Sequence, residues 1–336
     1  MFTESSTAGD MRKALHRPFG RNLNGVLFFG GSAGRGPHVA VGAGVPDPLS
    51  PDALRTVLTT ARGIAREAGA LVMEGFRKGA RIRTKSDRTD LVTEYDEKSE
   101  RLIRDRIAAR LPGHDVIGEE GQGTSDATKR LVWYVDPIDG TTNFAHGHPF
   151  FCLAMGLAAR TEDGGEVPIA GVVLAPAMQI EWSAAQGCGA QRNGQKIEVS
   201  ATPALEDCLL ATGFPSTRAR IDDNNYKAFL AIDAATHGAR RCGAAAMELC
   251  LVADGAYDGF WDISLKRWDV TASTVIIREA GGRVTDYETE DLSLDRFERN
   301  GGRVIASNGS VHEELRNAIR GALPLPPGLP TKKGMG

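Results

Sequence analysis

The stretch WYVDPIDGTTNFAHGHPFF, Trp133–Phe151, sets two carboxylates three residues apart, Asp136 and Asp139, between an apolar run and a Gly-Thr-Thr turn. Carboxylates are costly beside buried apolar segments unless something compensates them. Pro137 biases Asp136 towards an extended backbone, so the spacing can aim both carboxylates and the Ile138 carbonyl at one point. Gly140 lets the chain turn, and Thr141-Thr142 then open a short helix whose N–H groups favour an anion. On this stretch alone two readings stay open. Asp136 can cap a turn and Asp139 the helix, or both can hold a cation.

Further acids stand at the ends of other apolar segments. Glu119 and Glu120 follow DVIG, and Asp269 follows Trp268 at an expected helix start. Hard oxygen ligands arriving on separate elements suit Mg²⁺. The His/Cys set of a structural zinc site is missing from the sequence pattern. Metal carboxylates beside an anion-binding helix start are what phosphoester hydrolysis requires.

The 336 residues carry 41% hydrophobic and 25% charged side chains and a net charge of −3. That balance is ordinary for a globular chain and offers no basic field for nucleic acid or membrane surfaces. No apolar run approaches the roughly 18 residues of a spanning helix. Five scattered cysteines without a C-x-x-C pair read as reduced core thiols, hence a cytoplasmic expectation. Residues 1–50, rich in Gly and Pro, read as a disordered extension, or as a start placed too early, Met11 being another. Residues 51–322 read as the catalytic domain and 323–336 as a disordered tail.

Order is expected from SPDALRTVLTTARGIAREAGALVMEGF, where Ser50 or Asp52 caps, Pro51 suits the first turn, and Leu54, Val57, Leu58, Ala61, Ile64 and Ala65 share a face. A second helix is expected through TEYDEKSERLIRDRIAARL. Strands follow in DVIGEE, RLVWYVD, FFCLAMGLAAR, VPIAGVVLAPAM and QIEWSAAQGCGAQRNG, read as a meander. The second half alternates strands and helices, which implies stacked α and β layers.

At these residues the sequence resembles the inositol monophosphatase family of Mg²⁺-dependent, lithium-sensitive phosphatases, over roughly residues 52–320. The likeness rests on GEE (Gly118–Glu120), the Trp133–Phe151 stretch, GCGAQRNG (Gly187–Gly194), LLATGFP (Leu209–Pro215), WDVTAS (Trp268–Ser273) and EAGG (Glu279–Gly282). It implies an α/β fold, an alternating α-β-α-β-α sandwich of the inositol monophosphatase and fructose-1,6-bisphosphatase type, and a homodimer. It also implies that Glu119, Asp136, the Ile138 carbonyl, Asp139 and Asp269 ligate two or three Mg²⁺ ions. Thr141 and Asp96 would then orient and deprotonate the attacking water, with Gly140, Thr141 and Thr142 seating the phosphate. The leaving alcohol would meet Asp139, the backbone of Gly243, Ala244 and Ala245, and Asp262, where the family ordinarily has Glu. Lys85 aligns with a lysine of a mobile active-site loop. The acid-bearing FWDISLKRWD favours myo-inositol 1-phosphate. Fructose 1,6-bisphosphate, 3′-phosphoadenosine 5′-phosphate and histidinol phosphate are the alternatives.

Other signals carry less. GGSAG at Gly30–Gly34 matches a nucleophile elbow around Ser32 but lacks the helix that must follow. His146 and His148 lack a third soft ligand and read as loop structure. Cys242 reads as a small buried hydrophobe. The basic run RKGARIRTK (Arg77–Lys85) reads as a solvated face. Some bacterial relatives in the family associate with RNA polymerase, so a binding module acting on the transcription machinery is the second hypothesis.

Overall fold

The computed structural model describes residues 50–84, 91–121 and 125–324. Most of the expected extension and tail, together with Met11, Ser32 and Lys85, lies outside the described residues. Helix α1 (Pro51–Lys78) starts as its sequence demands: Ser50 Oγ accepts the Ala53 N–H at 3.3 Å, and Pro51 sits at the first helical position. Its buried stripe runs Leu54, Val57, Ala61, Ile64, Ala65, Ala68 and Val72. The hairpin β1 (Ile82–Thr84) and β2 (Leu91–Thr93) leads into α2 (Glu94–Arg110). There Thr93 and Asp96 cap each other reciprocally. Helices α1 and α2 lie side by side, joined by Glu67 to Arg106 and Arg110 at 2.6 and 2.7 Å.

The strands β3 (His114–Gly118), β4 (Leu131–Asp139), β5 (Cys152–Arg160), β6 (Glu166–Ala175), β7 (Ile180–Ala185), β8 (Ala190–Arg192) and β9 (Gln195–Lys196) form one sheet in that order. Only β3 and β4 pair in parallel within it. Between β4 and β5 the chain makes α3 (Thr141–Ala145). The near-continuous apolar runs of β4 to β7 follow from burial on both faces. Trp133, Val135, Leu153, Met155 and Leu157 pack with α1 and α2. Val132, Tyr134, Ala154, Val173 and Trp182 face the opposite layer.

The second half supplies β10 (Leu210–Thr212), α4 (Tyr226–Ala235), β11 (Ala239–Arg240), α5 (Ala245–Ala253), β12 (Gly259–Asp262), α6 (Arg267–Glu279), β13 (Arg283–Thr285), α7 (Leu294–Phe297), β14 (Val304–Ser307) and α8 (His312–Asn317). Its strands form a mixed sheet in the order β11-β10-β12-β14-β13. Helices α5 and α6 are sandwiched between the sheets, with Met247, Leu249, Val270 and Ile276 in one core with Phe260 and Ala306. The far face, with Leu210, Trp261 and Ile305, is covered by Ile232 of α4 and Leu315 of α8. The layers therefore run α-β-α-β-α.

Two expected features differ in detail, and one short helix was not expected. The DVIGEE strand stops at Gly118, leaving Glu119 and Glu120 beyond it. Strand β4 continues through Pro137 to Asp139 instead of ending at Asp136. The long polar stretch before β14 holds the short helix α7, fixed by burial of Leu294 and Phe297 rather than by any periodicity.

Candidate active site

The geometry at the end of β4 comes from one irregularity. Asp136 pairs with Ala154 of β5, whereas Asp139 pairs with Cys152, so three steps on one strand match two on the other. In a regular strand residues i and i+3 point to opposite faces. The extra residue, beside a proline with no N–H to give the ladder, brings both aspartates to one side. Gly140 then turns at φ 89°, where a Cβ would lie 3.1 Å from both the Gly243 carbonyl and the Ala244 Cβ.

Asp136 and Asp139 are 3% and 8% exposed. Burial first, then the charges of Glu119, Asp139, Asp269 and Asp96, push the Asp136 carboxyl well above its usual range. Burial raises Asp139 to about 6 despite hydrogen bonds that favour its ionised form. Asp269 is likewise pushed up by burial and then by Asp139 and Glu119. The structure thus gathers Glu119, Asp136, Asp139, Asp269 and Asp96 from β4, α2, α6 and the end of β3 into one electrostatic cluster. Among the described residues Asp136, Asp139 and Asp269 have no Lys or Arg ion-pair partner.

The side chains are satisfied by backbone donors instead. Asp136 accepts from Ile138 N at 3.0 Å. Asp139 accepts from Ala245 N at 3.1 Å and Ala246 N at 2.7 Å, and the Cys152 thiol lies 3.5 Å away. Asp269 accepts from Lys266 N at 2.7 Å, closing the first turn of α6. In this arrangement no three His, Cys, Asp or Glu among the described residues already converge as a formed metal shell. The donor set nevertheless fits a hard divalent cation: buried oxygens, mutually repelling, with their charge unneutralised. The turn-capping reading of Asp136 is present in the Ile138 contact, but the cap position of α3 is Gly140, so Asp139 is not its cap. It serves α5, whose own cap residue, Ala244, has no side-chain acceptor.

Asp96 is fully buried. Its Oδ2 accepts from Thr93 N at 2.8 Å and Thr93 Oγ1 at 2.5 Å. Its Oδ1 lies 3.3 Å from Thr141 Oγ1, which also lies 3.0 Å from the Ile138 carbonyl. The single hydroxyl proton can serve only one of these acceptors at a time. Asp262, at the end of β12, is buried, accepts its neighbour Ile263 N at 2.7 Å, and is raised well above the usual range by burial. Gly213 gives it room, since a Cβ there would lie 1.9 Å from its carboxylate. His146 and His148 are exposed in the loop after α3. Cys242 is only half-buried, with Sγ 3.6 Å from Tyr257 Oη.

Sequence reasoning missed Glu248 and Asn143. Glu248 is 1% exposed, and its two oxygens accept Cys242 N at 2.9 Å and Gly243 N at 3.2 Å. Burial is the main cause that lifts it from the usual 4.5 to about 8. One acid in the otherwise apolar helix AAMELCLVA was the available signal. The folded state holds this proton more tightly than the unfolded chain does. Its contribution to stability is therefore full below about 4.5 and is lost as pH rises to about 8. With chelator present, Glu248→Gln should show a smaller fall in Tm between pH 5.5 and 8.5 than the parent; equal slopes would place the titration elsewhere.

A five-layer sandwich with clustered acids at its strand and helix ends defines the class: a layered α/β protein with a buried acidic site. The family model described as the inositol monophosphatase family matches residues 53–323. The chain belongs to that family. It is 39% identical over 271 residues to an inositol-1-monophosphatase of Synechocystis, covering 81% of this chain and 91% of that one. It is 36% identical over 277 residues to the Nus factor SuhB of Pseudomonas aeruginosa, covering 81% and 98%. Among solved structures, the inositol monophosphatase of Anabaena superposes with a TM-score of 0.71 at 36% identity, covering 81% of this chain and 98% of that one.

Proposed function

We propose that the protein is a Mg²⁺-dependent phosphomonoesterase acting on myo-inositol 1-phosphate and related polyol monophosphates. The observation that carries this is the buried, mutually repelling set of Asp136, Asp139 and Asp269 with Glu119 beside them. Glu119, Asp136, the Ile138 carbonyl, Asp139 and Asp269 would hold two or three ions. Bound there, such ions polarise phosphoryl oxygens and lower the pKa of a water. Thr141 positions that water, and Asp96, reached through the threonine hydroxyl, takes up its proton load. The amides opening α3, at Gly140, Thr141 and Thr142, seat the phosphate. Asp262, Asp139 and the backbone of Gly243–Ala245 receive the hydroxyls of the departing alcohol. Lys85, outside the described residues, is assigned a supporting role.

A phosphate-release panel of sugar, inositol, nucleotide and amino-alcohol phosphates, each with and without Mg²⁺, tests this reading. Mg²⁺-dependent turnover strongest on inositol 1-phosphate is expected; preference for fructose 1,6-bisphosphate or histidinol phosphate would replace the substrate. Thr141→Ala should lower kcat about 100-fold while Mg²⁺ affinity changes only a few-fold. An unchanged kcat would exclude the Thr141–Asp96 pair. Li⁺ should inhibit at millimolar concentration, and light scattering should report a homodimer.

Similarity to a protein named Nus factor SuhB favours a second reading, association with the transcription machinery. In that case Asp136→Asn would abolish phosphatase activity and leave the cellular role intact. Among the described residues no helix is long and apolar enough to cross a membrane, and the proposed location is the cytoplasm.

A further inference from the structure

The segment from Cys242 to Ala246 has its backbone donors engaged by protein carboxylates. Glu248 accepts the amides of Cys242 and Gly243, and the Ala244 amide also favours its ionised form. Asp139 accepts those of Ala245 and Ala246. On the opposite side Asn143 Nδ2 donates to the Cys242 carbonyl at 2.8 Å and to the Phe150 carbonyl at 2.6 Å. The segment is thus gripped by Glu248 of α5 and Asn143 of α3. The Gly243 carbonyl is left beside Gly140, 3.1 Å from where a Cβ there would stand.

We propose that Glu248 and Asn143 are positioning residues that present an acceptor-only wall to the leaving alcohol, selecting a neutral polyol over an alcohol bearing a second anionic group. This rests on the phosphatase reading above, in which the alcohol meets Gly243–Ala245 and Asp262. A hydroxyl can donate to the Gly243 carbonyl and to carboxylates. A second phosphate has almost only acceptor oxygens at neutral pH and meets there neither amide donors nor a buried cation. Arg241 is the countervailing charge, with Nη1 3.5 Å from where a Gly243 Cβ would stand, but it is exposed and its pull is screened by water.

The test compares inositol 1-phosphate with fructose 1,6-bisphosphate in the Mg²⁺-loaded full chain. Glu248→Met removes both acceptors and releases the amides of Cys242 and Gly243. KM for inositol 1-phosphate should rise at least 10-fold with kcat within 3-fold. The kcat/KM ratio between the two substrates should shift at least 10-fold towards the bisphosphate. Glu248→Gln, which keeps shape and one acceptor, should stay within 3-fold of the parent ratio. A merely structural role would lower Tm and active fraction without moving the ratio. Should Glu248→Met not fold, Asn143→Ala releases the Cys242 carbonyl and is expected to raise KM in the same way with little change in kcat. An unchanged KM and ratio in a folded Glu248→Met, or a loss confined to kcat in Asn143→Ala, overturns the inference. A parent enzyme inactive on every phosphate ester overturns instead the reading on which it rests.

Discussion

Asp136→Asn is expected to reduce phosphate release by at least 1000-fold while the protein still folds. The substitution keeps the side chain's shape and the oxygen that accepts Ile138 N at 3.0 Å. It deletes one negative charge from a site where Glu119, Asp139, Asp269 and Asp96 all oppose it. In the metal-free protein this relieves repulsion, so Tm in chelator should hold or rise at pH 8. The sign follows from the raised folded-state pKa: ionising Asp136 costs more in the folded protein than in the unfolded chain, and stability is lost as pH rises through that range. Added Mg²⁺ should raise the parent's Tm and leave the variant's nearly unchanged, because binding to the folded state alone stabilises by mass action. Turnover close to the parent's would remove Asp136 from the ligand set.

Gly171→Ala is expected to give the largest loss of stability. Gly171 of β6 stands directly opposite Gly156 of β5. Helix α6 rests its backbone on this pair. A Cβ on Gly171 would meet the Ala272 carbonyl oxygen at 2.4 Å, and one on Gly156 would meet the Ala272 amide at 2.5 Å. Neither contact is a flexible side-chain tip, so the helix must lift. Overpacking of this kind costs about 3 kcal/mol, which in a domain of this size lowers Tm by roughly 6–10 °C. The same helix carries Asp269 in its first turn. Mg²⁺ affinity should therefore weaken about 10-fold even at temperatures where the variant is folded. A Tm within 2 °C of the parent, with unchanged Mg²⁺ dependence, would show that the sheet can yield there.

Much of this was legible in the sequence, for definable reasons. Helix α1 announces itself through Ser50, Pro51 and a regular apolar stripe. The strands β4 to β7 announce themselves because burial on both faces leaves long apolar runs. Glu119 and Asp136 stood out because each follows an apolar run, and Asp269 because it stands at an expected helix start. What period and propensity do not encode is contact between distant segments. Nothing local says that Asp139 caps α5, more than 100 residues later. Nothing local marks His312 as a fully buried ring between Thr285 Oγ1 at 3.0 Å and Ser307 Oγ at 2.9 Å. Nothing local marks Gly156 and Gly171 as the seat on which α6 rests. The β-bulge was not legible: Pro137 argued only for an extended Asp136, and the pairing with Ala154 and Cys152 is what reveals it.

The central claim is that these carboxylates form a divalent-cation centre. Anomalous diffraction from crystals soaked in Mn²⁺ tests it most directly. The account predicts at least one strong peak bonded to Asp136, with Glu119, Asp139, Asp269 or the Ile138 carbonyl completing the shell at about 2.0–2.3 Å. It also predicts loss of that peak in Asp136→Asn. An empty cluster at saturating Mn²⁺, or a peak elsewhere that sustains turnover, would contradict it.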